Sequence, residues 1–443
     1  MEPSAPPSIP RRTILRGLGA LGLTLTRGGA GAAGAALSLL AGPGAGCSSL
    51  PSKRGRAIKV GILHSLSGTM AISERAVCEA TQLGIAHINA AGGVLGRAVT
   101  AVVADGRSDE STFASQARRL IVEDEVVAVF GCWTSACRKT VRSVFEELDH
   151  LLIYPVQYEG LEQSPNIVYT GAAPNQQIIP AVAWSMQHIG KRFFIVGSDY
   201  VFPRTASEII RDYVTALGGS LVGEEYLLLG SEDVADVVSN IVKAKPDVIL
   251  NTINGDSNMA FFRALRERGI WPQDIPTMSF SIAEPELRSL GTNHLVGDYA
   301  TWTYFQAVDT DENRRFIRAF RDRYGANQVV GDPMEAAYFG TQLWAQAARQ
   351  AGRPDVTAVR RCMGRQSYRA PQGIVYVDPD TQHTWKNVRV GRIRDDDQFD
   401  IVWDSNEPIR PEPFPLTRRR EQWSQFLADL YRSWGNRWAR PAN

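Results

Sequence analysis

The stretch that most limits how this chain folds is residues 131–160, GCWTSACRKTVRSVFEELDHLLIYPVQYEG. An apolar run at 126–130 leads into a Gly-Cys-Trp-Thr-Ser loop. A helix-spaced set follows, Val141, Val144, Phe145 and Leu148, and then a second apolar run at 151–156. Apolar spacings of three and four residues between two short apolar runs predict strand, helix, strand. If the two strands are parallel neighbours, the crossover is right-handed, and Trp133, Thr134, Ser135 and residues 154–158 emerge at the carboxyl ends of the strands. Open α/β sheets bind their ligands there. Aromatic faces, hydroxyls and an amide gather at that edge, with no basic residue before Arg138. The ligand expected there is small, polar and uncharged.

The same alternation runs through the rest of the chain. Strands are predicted at 57–64 and 99–104 and helices through Asn89 and at 111–123, which makes one doubly wound lobe. A second series starts near residue 176, with strands at 192–197, 221–229, 248–252 and 277–280 and helices at 176–189, 204–217, 234–243 and 259–268. Residues 298–305 begin the return to the first lobe, whose later helices are 311–324 and 334–350. Short strands at 374–377, 387–394 and 399–403 complete the second lobe. The organisation read from this is lobe 1 at 57–173 and 306–372, and lobe 2 at 174–305 and 373–410. Repeated crossings between lobes make a hinge that closes over a small molecule.

With 443 residues, a net charge of +1 and no long basic run, the chain is read as a globular body with no nucleic acid among its partners. Five scattered cysteines make no Cys-x-x-Cys pair; Cys132 and Cys137 are expected to be buried thiols. The six histidines show neither metal-ligand spacing nor a triad, so neither a metal, a cofactor nor catalysis is expected.

The motifs GCWTSxxRK, YPVQYEG, SPNxxYTGAAPNQQ, GSDYVFPR, TINGDSN and GDPMEAAY together resemble the substrate-binding protein of urea ABC importers. They are also similar to the short-chain amide sensor of amidase operons and, more distantly, to binding proteins for branched-chain amino acids. The resemblance implies a two-lobed type I periplasmic binding protein fold, a urea or short-amide ligand, and ABC permease subunits as partners. The amide sensors carry tyrosine at the position of Trp133 and Thr-Pro at Val156-Gln157, so these residues favour the urea branch. Phe202 stands where both branches place tyrosine.

Such a ligand accepts hydrogen bonds at its carbonyl and donates them from its NH2 groups. The candidate site is Trp133, Thr134, Ser135, Tyr154, Val156, Gln157, Tyr200, Asp256 and Glu335. Trp133, Tyr154 and Tyr200 supply flat faces, and the Ser135 hydroxyl and nearby backbone NH groups serve the carbonyl. Asp256, or secondarily Glu335, takes the NH protons; capping and helix-start electrostatics are their structural alternatives. Arg138 and Arg204, at helix starts, are read as surface or structural residues.

Residues 1–47 read as an export signal. Arg11 and Arg12 precede an apolar run, as in twin-arginine signals, and Cys47 stands where a lipoprotein would be acylated, although Gly44 replaces the usual large apolar residue. Residues 48–56 form a tether. Both features place the protein outside the cytoplasmic membrane, anchored to it if Cys47 is acylated. An exported chain does not fit a cytoplasmic amide-sensing regulator. Residues 411–443 form a proline-rich segment and an amphipathic helix whose apolar face, Trp423, Phe426, Leu427, Leu430, Tyr431, Trp434 and Trp438, packs on the protein's own surface.

Overall fold

The computed structural model describes residues 55–441; the export signal, Cys47 and most of the tether lie outside them. The first lobe is built on β1 (Ile58–His64), β2 (Val99–Asp105), β3 (Val129–Gly131), β4 (Leu152–Tyr154) and β5 (Ile167–Tyr169), ordered β2-β1-β3-β4-β5 and parallel throughout. Helices α1 (Ala71–Ala90), α2 (Glu110–Val122) and α3 (Ser135–Glu147) connect them. Asp109 fixes the start of α2, its carboxylate accepting the Thr112 amide at 2.7 Å, the usual means of satisfying a free helix-start N–H. The strand β5 is absent from the sequence reading. It is only three residues long and follows Pro165, so it carries no period of its own.

The second lobe follows with α4 (Ile178–His188), β6 (Arg192–Ser198), α5 (Val201–Ala216), β7 (Ser220–Leu227), α6 (Ala235–Ala244), β8 (Val248–Thr252), α7 (Ser257–Glu267), β9 (Thr277–Ser279), α8 (Glu284–Leu290) and β10 (Tyr299–Trp302). Strand β10 pairs parallel with β9, so it finishes this lobe's parallel run, and the return to lobe 1 comes after it. Near-continuous burial along β6 and β8 is what strands covered on both faces require.

The chain then adds α9 (Asp311–Tyr324), α10 (Asp332–Ala351) and α11 (Val356–Met363) to lobe 1. A three-stranded antiparallel sheet follows, β11 (Ser367–Ala370), β12 (Gly373–Val377) and β13 (Thr384–Trp385). This corrects the reading of 374–377 as part of lobe 2: Val375 and Val377 are buried in one core with Ile58, Phe130 and Trp344 of lobe 1. Only β14 (Arg389–Ile393) and β15 (Phe399–Asp404) join lobe 2, giving the order β15-β14-β10-β9-β8-β6-β7. The last helix is α12 (Arg420–Ser433). It ends before Trp438, which the helical reading had included.

Three crossings join the lobes, between β5 and α4, β10 and α9, and β13 and β14. Side chains bind them to one another: Lys386 Nζ donates to Thr170 O at 3.0 Å, Gln176 Nε2 to Thr384 O at 2.9 Å, and Arg389 Nη1 to Thr303 O. Among the described residues, no helix is long and apolar enough to cross a membrane.

Candidate functional site

The site begins with a backbone constraint. Gly131 closes β3 with φ +158°, and a Cβ there would lie 2.0 Å from Leu63 O on β1, so only glycine permits this close pairing. Cys132 follows at φ 65° and turns the chain into the space between the lobes. There Trp133 Nε1 donates across the cleft to Asn254 Oδ1 at 3.2 Å. Thr134 caps α3, accepting the Cys137 amide at 3.2 Å. The Ser135 and Ala136 amides have no acceptor among the described residues. Two free N–H groups at a helix start form a ready site for a carbonyl oxygen. Cys132 and Cys137 are both buried and unbridged.

The lobes meet around a cavity of about 60 Å3, with Ser65, Glu74, Ser108 and Thr134 of lobe 1 facing Tyr200 and Leu229 of lobe 2. Glu74 is buried; its Oε2 accepts the Ser65 amide at 2.9 Å and lies 3.0 Å from His64 Nδ1. Among the described residues its Oε1 has no partner, and neither has His64 Nε2. A buried carboxylate oxygen left unpaired is costly, and this one belongs to a residue of the cavity wall. Glu110 contributes a second carboxylate, pushed above its usual range by burial. Among the described residues, no lysine or arginine lines the cavity. A larger groove of about 810 Å3 runs past residues 163–165 and 360–366, beside the segment entering β5 and away from the strands' carboxyl ends.

The residues expected from sequence have separate fates. Thr134 and Tyr200 line the cavity, and Trp133 and Gln157 bridge the lobes, Gln157 Nε2 donating to Phe280 O at 2.9 Å. Tyr154 and Val156 are buried behind them, the Tyr154 hydroxyl donating to Trp133 O at 2.6 Å. The Ser135 hydroxyl is already engaged, donating to Glu159 and accepting from Arg138 at 2.8 Å. Of the Ser135 groups, the backbone amide alone is left for a carbonyl, beside that of Ala136. Asp256 is exposed, makes no cap, and latches the lobes by accepting from Thr69. It takes no part in the cavity wall. Glu335 is fully buried, bound to the Gln372 side chain at 2.9 Å near the crossings, which also removes it from the cavity. Phe202 lies in the core of lobe 2, so its missing hydroxyl does not face the solute space. Arg138 is not at the surface; it is completely buried. Arg204 is structural, held by Asp199 at 2.7 Å.

Sequence reasoning missed Ser65, Glu74, Ser108 and Glu110. The signal was available, since the loops after β1 and β2 open at the same sheet edge as Trp133.

Burial pushes four carboxyls up: Glu284 to about 8, and Glu286, Asp298 and Glu335 to about 7. The folded protein therefore keeps protons that the unfolded chain releases near pH 4. Between those limits raising the pH favours unfolding; stability present below about pH 4 is lost as the pH passes through 7 to 8. Melting temperature is expected to fall between pH 6 and 8.5, and Glu284→Gln to raise the pH 8.5 value. A flat profile in both proteins would contradict this assignment.

Two α/β lobes, three crossings and a cavity at the strand ends define a two-lobed binding protein of the type I periplasmic kind. Residues 58–420 match the periplasmic binding protein domain family, and the chain belongs to it. It is 31% identical over 124 residues to limonene hydroxylase of Geobacillus stearothermophilus, covering 28% of this chain and only 23% of that relative. It is 21% identical over 345 residues to Leu/Ile/Val-binding protein homolog 6 of Brucella melitensis, covering 76% of this chain and 87% of the relative. Among solved structures, an ABC transporter solute-binding protein of R. palustris in complex with 4-hydroxybenzoate superposes with a TM-score of 0.71 at 24% identity, covering 81% of this chain and 98% of that one.

Proposed function

We propose that the protein is the extracytoplasmic solute-binding subunit of an ABC importer, capturing urea or a short-chain amide and delivering it to membrane permease subunits. The observation that carries this reading is a cavity of about 60 Å3 bearing carboxylates and no cation. That space holds roughly four to six water-sized groups, the size of urea or acetamide, whereas leucine or hydroxybenzoate is about twice as large. A carboxylate-bearing solute would also face Glu74 and Glu110 with no lysine or arginine in the cavity wall. The free Ser135 and Ala136 amides suit a carbonyl, and Glu74 Oε1 suits an NH2 group. The same two carboxylates favour a planar cation such as guanidinium as the second reading. Catalysis is not part of the proposal, since the hydroxylase likeness spans a quarter of each chain. Anchoring through Cys47 completes it.

Calorimetry on residues 53–443 with urea, acetamide, guanidinium, leucine and 4-hydroxybenzoate tests the reading. Urea or acetamide is expected to bind with a Kd of about 0.05–1 mM, since about 1.5 kcal/mol for each of four non-hydrogen atoms puts the limit at roughly 40 µM. Guanidinium alone would select the second reading. Binding of leucine or hydroxybenzoate with no response to the small neutral solutes would overturn both.

A further inference from the structure

The family match stops at residue 420, and the chain beyond it does more than pack on the surface. Helix α12 is fixed to lobe 2: Trp423 is buried, and Arg418 binds Asp212 and Glu208, each at 2.7 Å. Gly435 and Asn436 then take φ of 65° and 62°, which reverses the chain. Residues 438–440 run antiparallel to 199–201, with Val201 N donating to Trp438 O at 2.9 Å and Arg440 N to Asp199 O at 3.0 Å. Arg440 Nη1 also lies 3.2 Å from Asp199 Oδ2.

The other side of this segment faces lobe 1. Lys139 Nζ sits 5.0 Å from the centre of the Trp438 ring, and Trp438 shares one groove with Glu110 and Lys139. Ala439 itself lines the 60 Å3 cavity. The position in the two sheets gives the consequence. The crossings leave lobe 1 beside β5 and lobe 2 beside β10 and β14. The segment lies by β2 in the first sheet order and by β6 and β7 in the second, the edges remote from the crossings. It therefore spans the mouth of the cleft.

We infer that residues 434–441 form a strap that rides on lobe 2, closes the mouth of the cleft against lobe 1, and limits solute size with Ala439. Opening breaks the Lys139–Trp438 contact and leaves the pairing with residues 199–201 intact, because the lobe 2 side carries the backbone hydrogen bonds. Such a strap slows solute release as a lid does. The inference rests on the cleft being the solute site.

The test compares the intact protein with a chain ending at Asn436, which keeps α12 whole, and with Ala439→Leu. Truncation is expected to speed urea release about tenfold and to reduce the preference for urea over N,N'-dimethylurea from at least tenfold to within about threefold. Ala439→Leu is expected to weaken methylurea binding more than urea binding. Solute preference unchanged in both variants overturns the strap, whatever happens to the release rate. Small-angle scattering without solute separates this result from failure of the urea reading. If the intact protein binds none of these solutes, a larger radius of gyration after truncation still supports the strap, and an equal radius overturns it.

Discussion

Replacing Arg138 by methionine is expected to lower the unfolding free energy by roughly 3–5 kcal/mol, the usual cost of removing one partner from a buried ion pair. The guanidinium is fully enclosed: Nε lies 2.9 Å from Glu162 Oε1, Nη2 3.1 Å from Glu159 Oε1, and Nη1 2.8 Å from Ser135 Oγ. The Tyr158 and Tyr154 rings flank it at 4.3 and 5.0 Å. Burial works against ionisation of Glu162, but Arg138, Lys139 and Arg142 overrule it and hold that carboxyl well below its usual range. Methionine fills similar space without charge. It leaves two buried carboxylates with Lys139 and the partly exposed Arg142 as counter-charges. Thermal unfolding by calorimetry is the suitable measurement, since urea as denaturant would also be a candidate ligand. Adding Glu159→Gln to Arg138→Met should recover part of the loss, because the two residues share one network. A loss under about 1 kcal/mol in the single variant would show that water reaches the cluster.

That cluster also shows what sequence could and could not supply. The unit from β3 to β4 was legible because apolar spacing alone separates its strands from its helix. The loop at Trp133 was legible because a strand end in an open sheet is a ligand position. The commitment of the Ser135 hydroxyl was harder to see. Arg138 is three residues on, hence on the same helix face, but Glu159 arrives from another loop, and no local pattern announces that meeting. Strand β12 was visible as a strand and was given to the wrong lobe. Pairing is non-local, and a five-residue strand of mixed burial fits either sheet. The tail shows both sides. The apolar face predicted that α12 packs on the protein, and Trp423, Leu427 and Trp434 are buried against lobe 2. Gly435 was the signal for where the helix stops; passing over it placed Trp438 on the helix and hid the segment at the cleft mouth.

Glu74→Gln is expected to weaken solute binding by about 10- to 100-fold, roughly 1.5–3 kcal/mol for a hydrogen bond to a charged acceptor. The substitution keeps the shape of the side chain. Its remaining oxygen can still accept the Ser65 amide, as Glu74 Oε2 does at 2.9 Å, which orients the new NH2 group to where Oε1 now lies unpaired. An acceptor thereby becomes a donor opposite the solute's own NH2, and two donors cannot satisfy one another. Folding should be little affected, since neither the packing nor the Ser65 contact is removed, and the melting temperature serves as the control. Guanidinium, if it binds, should lose more than urea, because it also loses a charge partner. Affinity within twofold of the unchanged protein, with an unaltered melting temperature, would place the solute away from Glu74 and leave the α3 amides as the anchor of the site. Weaker binding of urea by the expected factor would assign the donor and acceptor halves of the solute to opposite walls, its NH2 group on Glu74 and its carbonyl on the start of α3. With Tyr200 and Leu229 facing both from lobe 2, that orientation gives each lobe a contact with the same small molecule, and those contacts exist together only when the cleft is shut.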